Sequence, residues 1–209
     1  PPVLAAVGSP VDASAATAHG TLGAVEAVLD KALNDARPGR ALVHGCGAVG
    51  GTVARHLVEH GWTVFTVDLD REKASFPGAT PLPESCAWWE MNLDLLLPCS
   101  ISRLINDEMA TALKTPAVVP AANAPFQQPQ LADDLRRRGV RVLPDPLVNA
   151  GAVIADSIER FSPDAWKDAG AKDVYDFVRD EVRRRASVYL NQREQGWSVG
   201  AALEEVAAT

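Results

Sequence analysis

Cysteine is scarce in this chain. Cys46, Cys86 and Cys99 are the only three in 209 residues, at spacings that form neither a metal-ligand set nor a disulfide framework. Their scarcity points to a reducing compartment, and the expected location is cytoplasmic. No apolar run reaches the roughly 20 residues that span a bilayer, so no membrane partner is expected. A positively charged start followed by an apolar stretch is missing as well, which argues against a secretory signal. The chain opens Pro1-Pro2-Val3-Leu4 without methionine, which fits both removal of an initiator residue and a fragment of a longer chain. Basic residues are in deficit, 20 Lys and Arg against 27 Asp and Glu; the net charge of −7 argues against a sequence-blind nucleic-acid binder. Of the few histidines, His19, His56 and His60 fit helix surfaces or ends and suggest no metal site. What remains is an ordinary globular composition, in a length that suits one sizeable core and an appended element.

The pattern along the chain alternates. Residues 1–16 read as an irregular opening rich in Pro, Gly, Ser and Ala. From Thr17 to Asn34, Ala18, Leu22, Val25, Val28, Leu29, Ala32 and Leu33 recur at helical spacing. Strands are predicted at Arg40–His44, Thr63–Val67, Leu93–Leu97, Ala117–Val119 and Val140–Leu143. Helices are expected after the first glycine turn to about His60, over Ile105–Leu113 and Pro129–Arg138, and from Asn149 onward. Residues 71–91, broken by Pro77, Pro81 and Pro83, read as irregular. Past Pro163, Val174, Phe177, Val178, Val182, Ala186 and Tyr189 line a long helix over about Lys172–Arg193, and Ser198 caps a final one to about Ala207. Apolar strands alternating with helices predict an α/β fold, a Rossmann-like doubly wound, mostly parallel sheet with a C-terminal helical tail. The expected organisation is one domain over 1–209, with an opening segment and helix at 1–36, a core at 37–160 and C-terminal helices at 161–209.

The strongest chemical signal is Gly45-Cys46-Gly47-Ala48-Val49-Gly50, a G-x-G-x-x-G run between a strand and a helix. The first glycine allows a tight turn, the second lets backbone approach a diphosphate, and the third lets helix and strand pack closely. Asp68 ends the second strand, about 20 residues beyond the turn, where a carboxylate accepts from ribose hydroxyls and repels a 2′-phosphate. That favours NAD over NADP, although Arg71 nearby leaves the choice open. In such a sheet ligands lie beyond the carboxyl ends of the strands. Pro98-Cys99-Ser100, Ala122-Asn123 and Asn149-Ala150-Gly151 therefore join Gly45–Gly50 and Asp68 along one crevice. For Asn123 and Asn149, amide donors and turn formers are equally good readings. Cys99 has no histidine in evident relation to it and reads as a small buried residue rather than a nucleophile. His44 reads as a satisfied core histidine, and Trp88-Trp89 as packing or a domain contact.

Taken together, Gly45–Gly50, Leu96-Leu97-Pro98-Cys99-Ser100, Ala121-Ala122-Asn123-Ala124-Pro125 and Leu143–Gly151 resemble the glutamate/leucine/phenylalanine/valine dehydrogenases, and look closest to the leucine/phenylalanine type. Thr17-Ala18-His19-Gly20 is similar to the start of the helix preceding that family's nucleotide domain, and Val174–Val206 to its closing helices. The resemblance implies reversible oxidative deamination of an L-amino acid to a 2-oxo acid and ammonia, with NAD as cofactor. It implies that Gly45, Gly47, Ala48, Val49 and Gly50 hold the diphosphate and Asp68 the adenosine ribose. Thr17 and Asn123 would flank the nicotinamide, Cys99 and Ser100 its ribose. Asn149, with Val153 and Asp156 on the helix it opens, would wall the substrate pocket.

Two departures qualify the transfer. The family's proton-transfer lysines and aspartate belong to an N-terminal domain, and Lys31, Lys73, Lys114, Lys167 and Lys172 stand in no matching context. No catalytic residue is therefore expected in this chain, and the N-terminal domain is an expected partner. A second copy of the chain is another candidate partner. Asp156 also falls where an apolar pocket residue is expected, and Gly151-Ala152 replaces a double glycine, so the preferred amino acid is open. Two rival readings remain. One is a non-catalytic NAD-binding or scaffold module. The other is a different Rossmann oxidoreductase with a base among Asp145, Asp156 and Glu159.

Overall fold

Six short strands form one parallel sheet in the order β3-β2-β1-β4-β5-β6, which is the doubly wound arrangement. The computed structural model describes residues 11–32 and 38–194. In chain order the elements are α1 (Ala13–Ala32), β1 (Arg40–His44), α2 (Ala48–Glu59), β2 (Thr63–Val67), α3 (Arg71–Ala74) and β3 (Ala79–Pro81). A 3-10 turn at Trp88–Glu90 precedes β4 (Leu95–Pro98), α4 (Asp107–Ala112), β5 (Ala117–Val118), α5 (Gln130–Arg137) and β6 (Arg141–Val142). Then come α6 (Asp145–Val148), α7 (Gly151–Phe161), α8 (Pro163–Asp168) and α9 (Ala171–Glu194).

The strands are apolar throughout because both faces of the sheet are covered. Ala41, Val43, Leu95, Leu97 and Ala117 face a core shared with α1, α2 and α9. Leu42, Leu96 and Val118 alternate to the opposite core, with Trp88, Leu113 and Leu135. Central strands β1, β2 and β4 run in register, Val43 opposite Thr66 on one side and Leu97 on the other, which brings their carboxyl ends level.

Three expectations are corrected. The first helix begins at Ala13, inside the stretch read as irregular, because Asp12 Oδ1 accepts the Ala15 N–H at 2.7 Å and caps it. Residues 79–81 form the edge strand β3 despite Pro81, which an edge tolerates. On α9, Phe177 points to solvent and Leu190 is buried in its stead. Helices α6 and α8 add to the expected elements; each opens with a proline in its first turn, Pro146 and Pro163. The segment before residue 11 and the final helix expected at Ser198–Ala207 lie outside the described residues.

Helix α9 packs on α1, so the last described helix clasps the first. A Cβ on Gly23 would collide with the Arg179 carbonyl oxygen, so the helices approach at van der Waals distance. Arg179 Nε donates to Glu26 Oε1 at 2.9 Å, and Arg183 to Asp30 at 2.8 Å. Val174, Val178, Val182 and Ala186 are buried along the contact. Gly151 likewise brings the start of α7 against α1, where a Cβ would meet the Ala16 carbonyl.

Candidate functional site

Gly45 follows β1 with φ +95, a left-handed conformation that glycine adopts without strain. Its N–H donates to the Val67 carbonyl at 2.7 Å. A Cβ here would stand 2.6 Å from Ser100 Cα, so the ends of β1 and β4 touch at this glycine. A Cβ on Gly50 would collide with the Gly45 carbonyl and come within 2.8 Å of Cys99 Cβ. Gly47 is different. Nothing lies within 4 Å of where its Cβ would be, and the residue is exposed. Gly47 also occupies the N-cap of α2 and offers no side-chain cap. The first-turn N–H groups at Ala48, Val49 and Gly50 therefore have no partner within the helix. An open glycine over an uncapped helix N-terminus is a cradle with room for a diphosphate.

Asp68 closes one side of this cradle. Its Oδ2 accepts the Cys46 N–H at 2.6 Å, and its Oδ1 accepts the Asp70 N–H at 2.9 Å. These bonds lock the carboxylate against the glycine turn, and each oxygen keeps a lone pair for a sugar hydroxyl. Arg71 is exposed at the start of α3, and Lys73 pairs with Asp70 at 3.3 Å. Leu69 and Ile101, just past the ends of β2 and β4, are 82% and 62% exposed. Two apolar side chains thus flank the turn uncovered, a feature the sequence pattern did not single out.

The other strand ends converge on the same edge. Asn149 Nδ2 donates to Asn123 Oδ1 at 2.8 Å and to the Ala121 carbonyl at 3.3 Å. Asn123, its oxygen held, is itself exposed. Asp145, read from sequence only as a candidate base, accepts the Ala124 N–H at 2.9 Å and supports that residue's left-handed φ of 44. Thr17 donates its hydroxyl to Ala13 O at 2.9 Å; its Cα lies 2.8 Å from a Cβ placed on Gly151. Thr17 therefore stands at the head of α7, against Gly151. Val153 and Asp156 follow Asn149 at helical spacing on one side of α7, Val153 exposed and Asp156 half-buried. Glu159 Oε2, further along α7, is buried without a hydrogen-bond partner.

Neither thiol of the crevice, Cys46 or Cys99, is a ready nucleophile. Burial pushes Cys99 up to about 12 and Cys46 up to about 11, so neither is a thiolate at neutral pH. His44 is half-buried rather than sealed in the core. Its Nδ1 lies 2.8 Å from Ser100 Oγ, and its ring meets the edge of Trp88 at 5.4 Å. Among the described residues no group of three or more His, Cys, Asp or Glu could hold a metal ion. No described helix is long and apolar enough to cross a membrane.

The chain is similar to known proteins along most of its length. The family profile described as Glutamate/Leucine/Phenylalanine/Valine dehydrogenase matches residues 68–207. A valine dehydrogenase of Streptomyces albus is 30% identical over 173 residues, 79% of this chain and 45% of the relative. A leucine dehydrogenase of Bacillus subtilis is 28% identical over 156 residues, 71% of this chain and 42% of the relative. Among solved structures, L-tryptophan dehydrogenase from Nostoc punctiforme superimposes with a TM-score of 0.78 at 22% identity, covering 94% of this chain and 60% of that one. The chain spans less than half the length of these two curated relatives.

Proposed function

The chain belongs to the glutamate/leucine/phenylalanine/valine dehydrogenase family, and from that premise we propose that it is the NAD-binding part of an amino-acid dehydrogenase. The whole enzyme interconverts an L-amino acid and its 2-oxo acid plus ammonia. The observation that carries this reading is the open space over Gly47 beside a carboxylate locked onto the same turn. That geometry fits a dinucleotide, with the diphosphate over Gly47 and α2 and the adenosine ribose on Asp68. Leu69 and Ile101 would cover the faces of the adenine.

When bound, NAD supplies the hydride acceptor. The residues of this chain bind and orient. Asn123, its oxygen pinned by Asn149, presents its amide donors at the nicotinamide end. Thr17, at the head of α7, limits how far the ring slides. Asn149, Val153 and Asp156 wall the substrate side, where a carboxyl group at Asp156 favours a side chain less purely aliphatic than valine or leucine. Lys73 is ion-paired to Asp70 and Lys172 to Asp176, both on helix surfaces. We therefore place the proton-transfer group that imine chemistry needs in the family's N-terminal domain rather than on either of these lysines. Free thiols at Cys46, Cys86 and Cys99 support a cytoplasmic location.

Titration calorimetry of the chain with NAD and NADP tests the cofactor reading; saturable NAD binding at least several-fold tighter than NADP is expected. Oxidative deamination is then assayed with the 209-residue chain alone and with the intact gene product. Turnover only in the latter supports this reading. Turnover by the chain alone refutes the division of labour, and NAD binding without turnover in either would favour a sensing or scaffold module.

A further inference from the structure

We propose that His44 is a positioning residue for the dinucleotide diphosphate: it fixes the Ser100 hydroxyl toward the phosphate and gains a proton when the diphosphate binds. The inference rests on the dinucleotide reading of the crevice. It starts from where His44 stands. It is the last residue of β1, directly before Gly45, and its carbonyl accepts the Cys99 N–H at 2.7 Å. Its Nδ1 reaches Ser100 Oγ at 2.8 Å, while Ser100 itself presses on Gly45. Imidazole and hydroxyl thus form a two-member relay that ends at the diphosphate turn.

The proton count decides how the relay points. A serine hydroxyl that donates to a phosphate oxygen must accept from another group to be held in place. Here that group is His44 Nδ1–H, so the ring carries its proton on Nδ1 in the neutral state. Adding a proton at Nε2 leaves this arrangement intact and places a positive charge behind the serine. Asp68 approaches from the end of β2, and Ser100 and the neutral Cys99 from the end of β4. Trp88 covers the ring from the 3-10 turn, where Glu90 is the exposed acid, and the neutral Cys46 thiol follows in the glycine turn. Burial lowers the His44 pKa and Asp68 works against that, so the empty site keeps the ring neutral with one carboxylate nearby. Two phosphate charges arriving at Gly47 strengthen the pull toward the imidazolium. A ligand that raises a pKa binds more tightly as pH falls toward the free-state value.

The test is calorimetry of the 209-residue chain with ADP-ribose, which keeps the diphosphate and has no group titrating between about pH 5 and about pH 8. Running each pH in buffers of different ionisation enthalpy counts the protons taken up. Expected is a three- to tenfold tighter binding at the acid end, roughly what up to one unit of pKa rise produces, with fractional proton uptake between. His44→Gln keeps a donor for Ser100 but cannot titrate. It should bind near the wild-type affinity at high pH and lose both the pH dependence and the proton uptake. His44→Leu and Ser100→Ala should each bind less tightly at every pH. Wild-type binding that is flat with pH and releases or takes up no proton overturns the role of His44 and leaves the dinucleotide site standing. An unchanged pH profile in His44→Gln does the same. Failure of the wild type to bind ADP-ribose at any pH overturns both.

Discussion

Two alanines, placed three residues apart, should separate binding from stability. At Gly47 the backbone has φ −68 and ψ −159, within reach of any L residue, and the added methyl meets nothing within 4 Å. Alanine is a poorer N-cap than glycine but restricts the unfolded chain, and these opposing effects leave stability within about 1 kcal/mol of the parent. In the bound state the methyl occupies the space over which the diphosphate must settle. Lengthening one or more charge-assisted N–H bonds to phosphate costs about 1.5–3 kcal/mol each, roughly 10- to 100-fold in affinity. At Gly50 the methyl would strike the Gly45 carbonyl and stand 2.8 Å from Cys99 Cβ, and neither neighbour is the free end of a flexible side chain. Helix α2 must then lift off β1, at a cost of at least about 2 kcal/mol, or a Tm lower by about 4–8 °C in a chain of this size. Thermal melts and NADH titrations of Gly47→Ala and Gly50→Ala give the four values. If Gly47→Ala melts as low as Gly50→Ala, or binds NADH as the parent does, the cradle described here is not the diphosphate site.

Other outcomes follow from the same geometry. Asp68→Asn keeps an acceptor for one of the two N–H groups but loses the charge that disfavours a 2′-phosphate. NAD affinity should fall by roughly tenfold while NADP gains relative to it, read by paired titrations. Burial, with His60 and Arg179 beside it, holds His56 down at about 4, below the histidine value of 6.5. The unfolded chain therefore takes up more protons between about 6.5 and about 4, so stability at His56 declines as pH falls through that window. Chemical denaturation across the window should show the decline, and His56→Gln should flatten it. Gly23→Ala would drive a methyl into the Arg179 carbonyl and separate α9 from α1; a loss of at least about 2 kcal/mol and faster proteolysis within α9 are expected. Iodoacetamide at neutral pH should spare Cys46 and Cys99 in the native chain and label both after denaturation, since burial suppresses their thiolates.

Where chain neighbours decide the structure, the sequence was readable. Arg40–His44 and Thr63–Val67 are strands with the expected bounds, because β-branched and aliphatic residues there meet a turn signal at each end. The three glycines of the turn divide their work as the spacing implied, two in tight contact and one open. Contacts between distant segments were not readable. β3 has only three residues and owes its existence to pairing with β2. The partnership of Asn123 with Asn149, and the grip of Asp145 on Ala124, join residues 26 and 21 positions apart. No periodicity encodes such bonds. His44 was read as interior because β1 is central; its link to Ser100 appears only once β1 and β4 lie side by side. Phe177 fits the apolar stripe of α9 by spacing, yet it stands 52% exposed, because spacing alone does not say which neighbour covers a face.

The clasp between α1 and α9 ties together side chains 153 positions apart. A ribosome releases the apolar stripe of α1 well before the α9 stripe that covers it, so the former must wait, exposed, while the intervening sheet assembles. Non-local closure of this kind slows folding and lengthens the interval open to misassociation. Loss of the chain beyond about residue 170 would thus harm solubility as much as stability, although every strand and every glycine of the nucleotide turn would still be present.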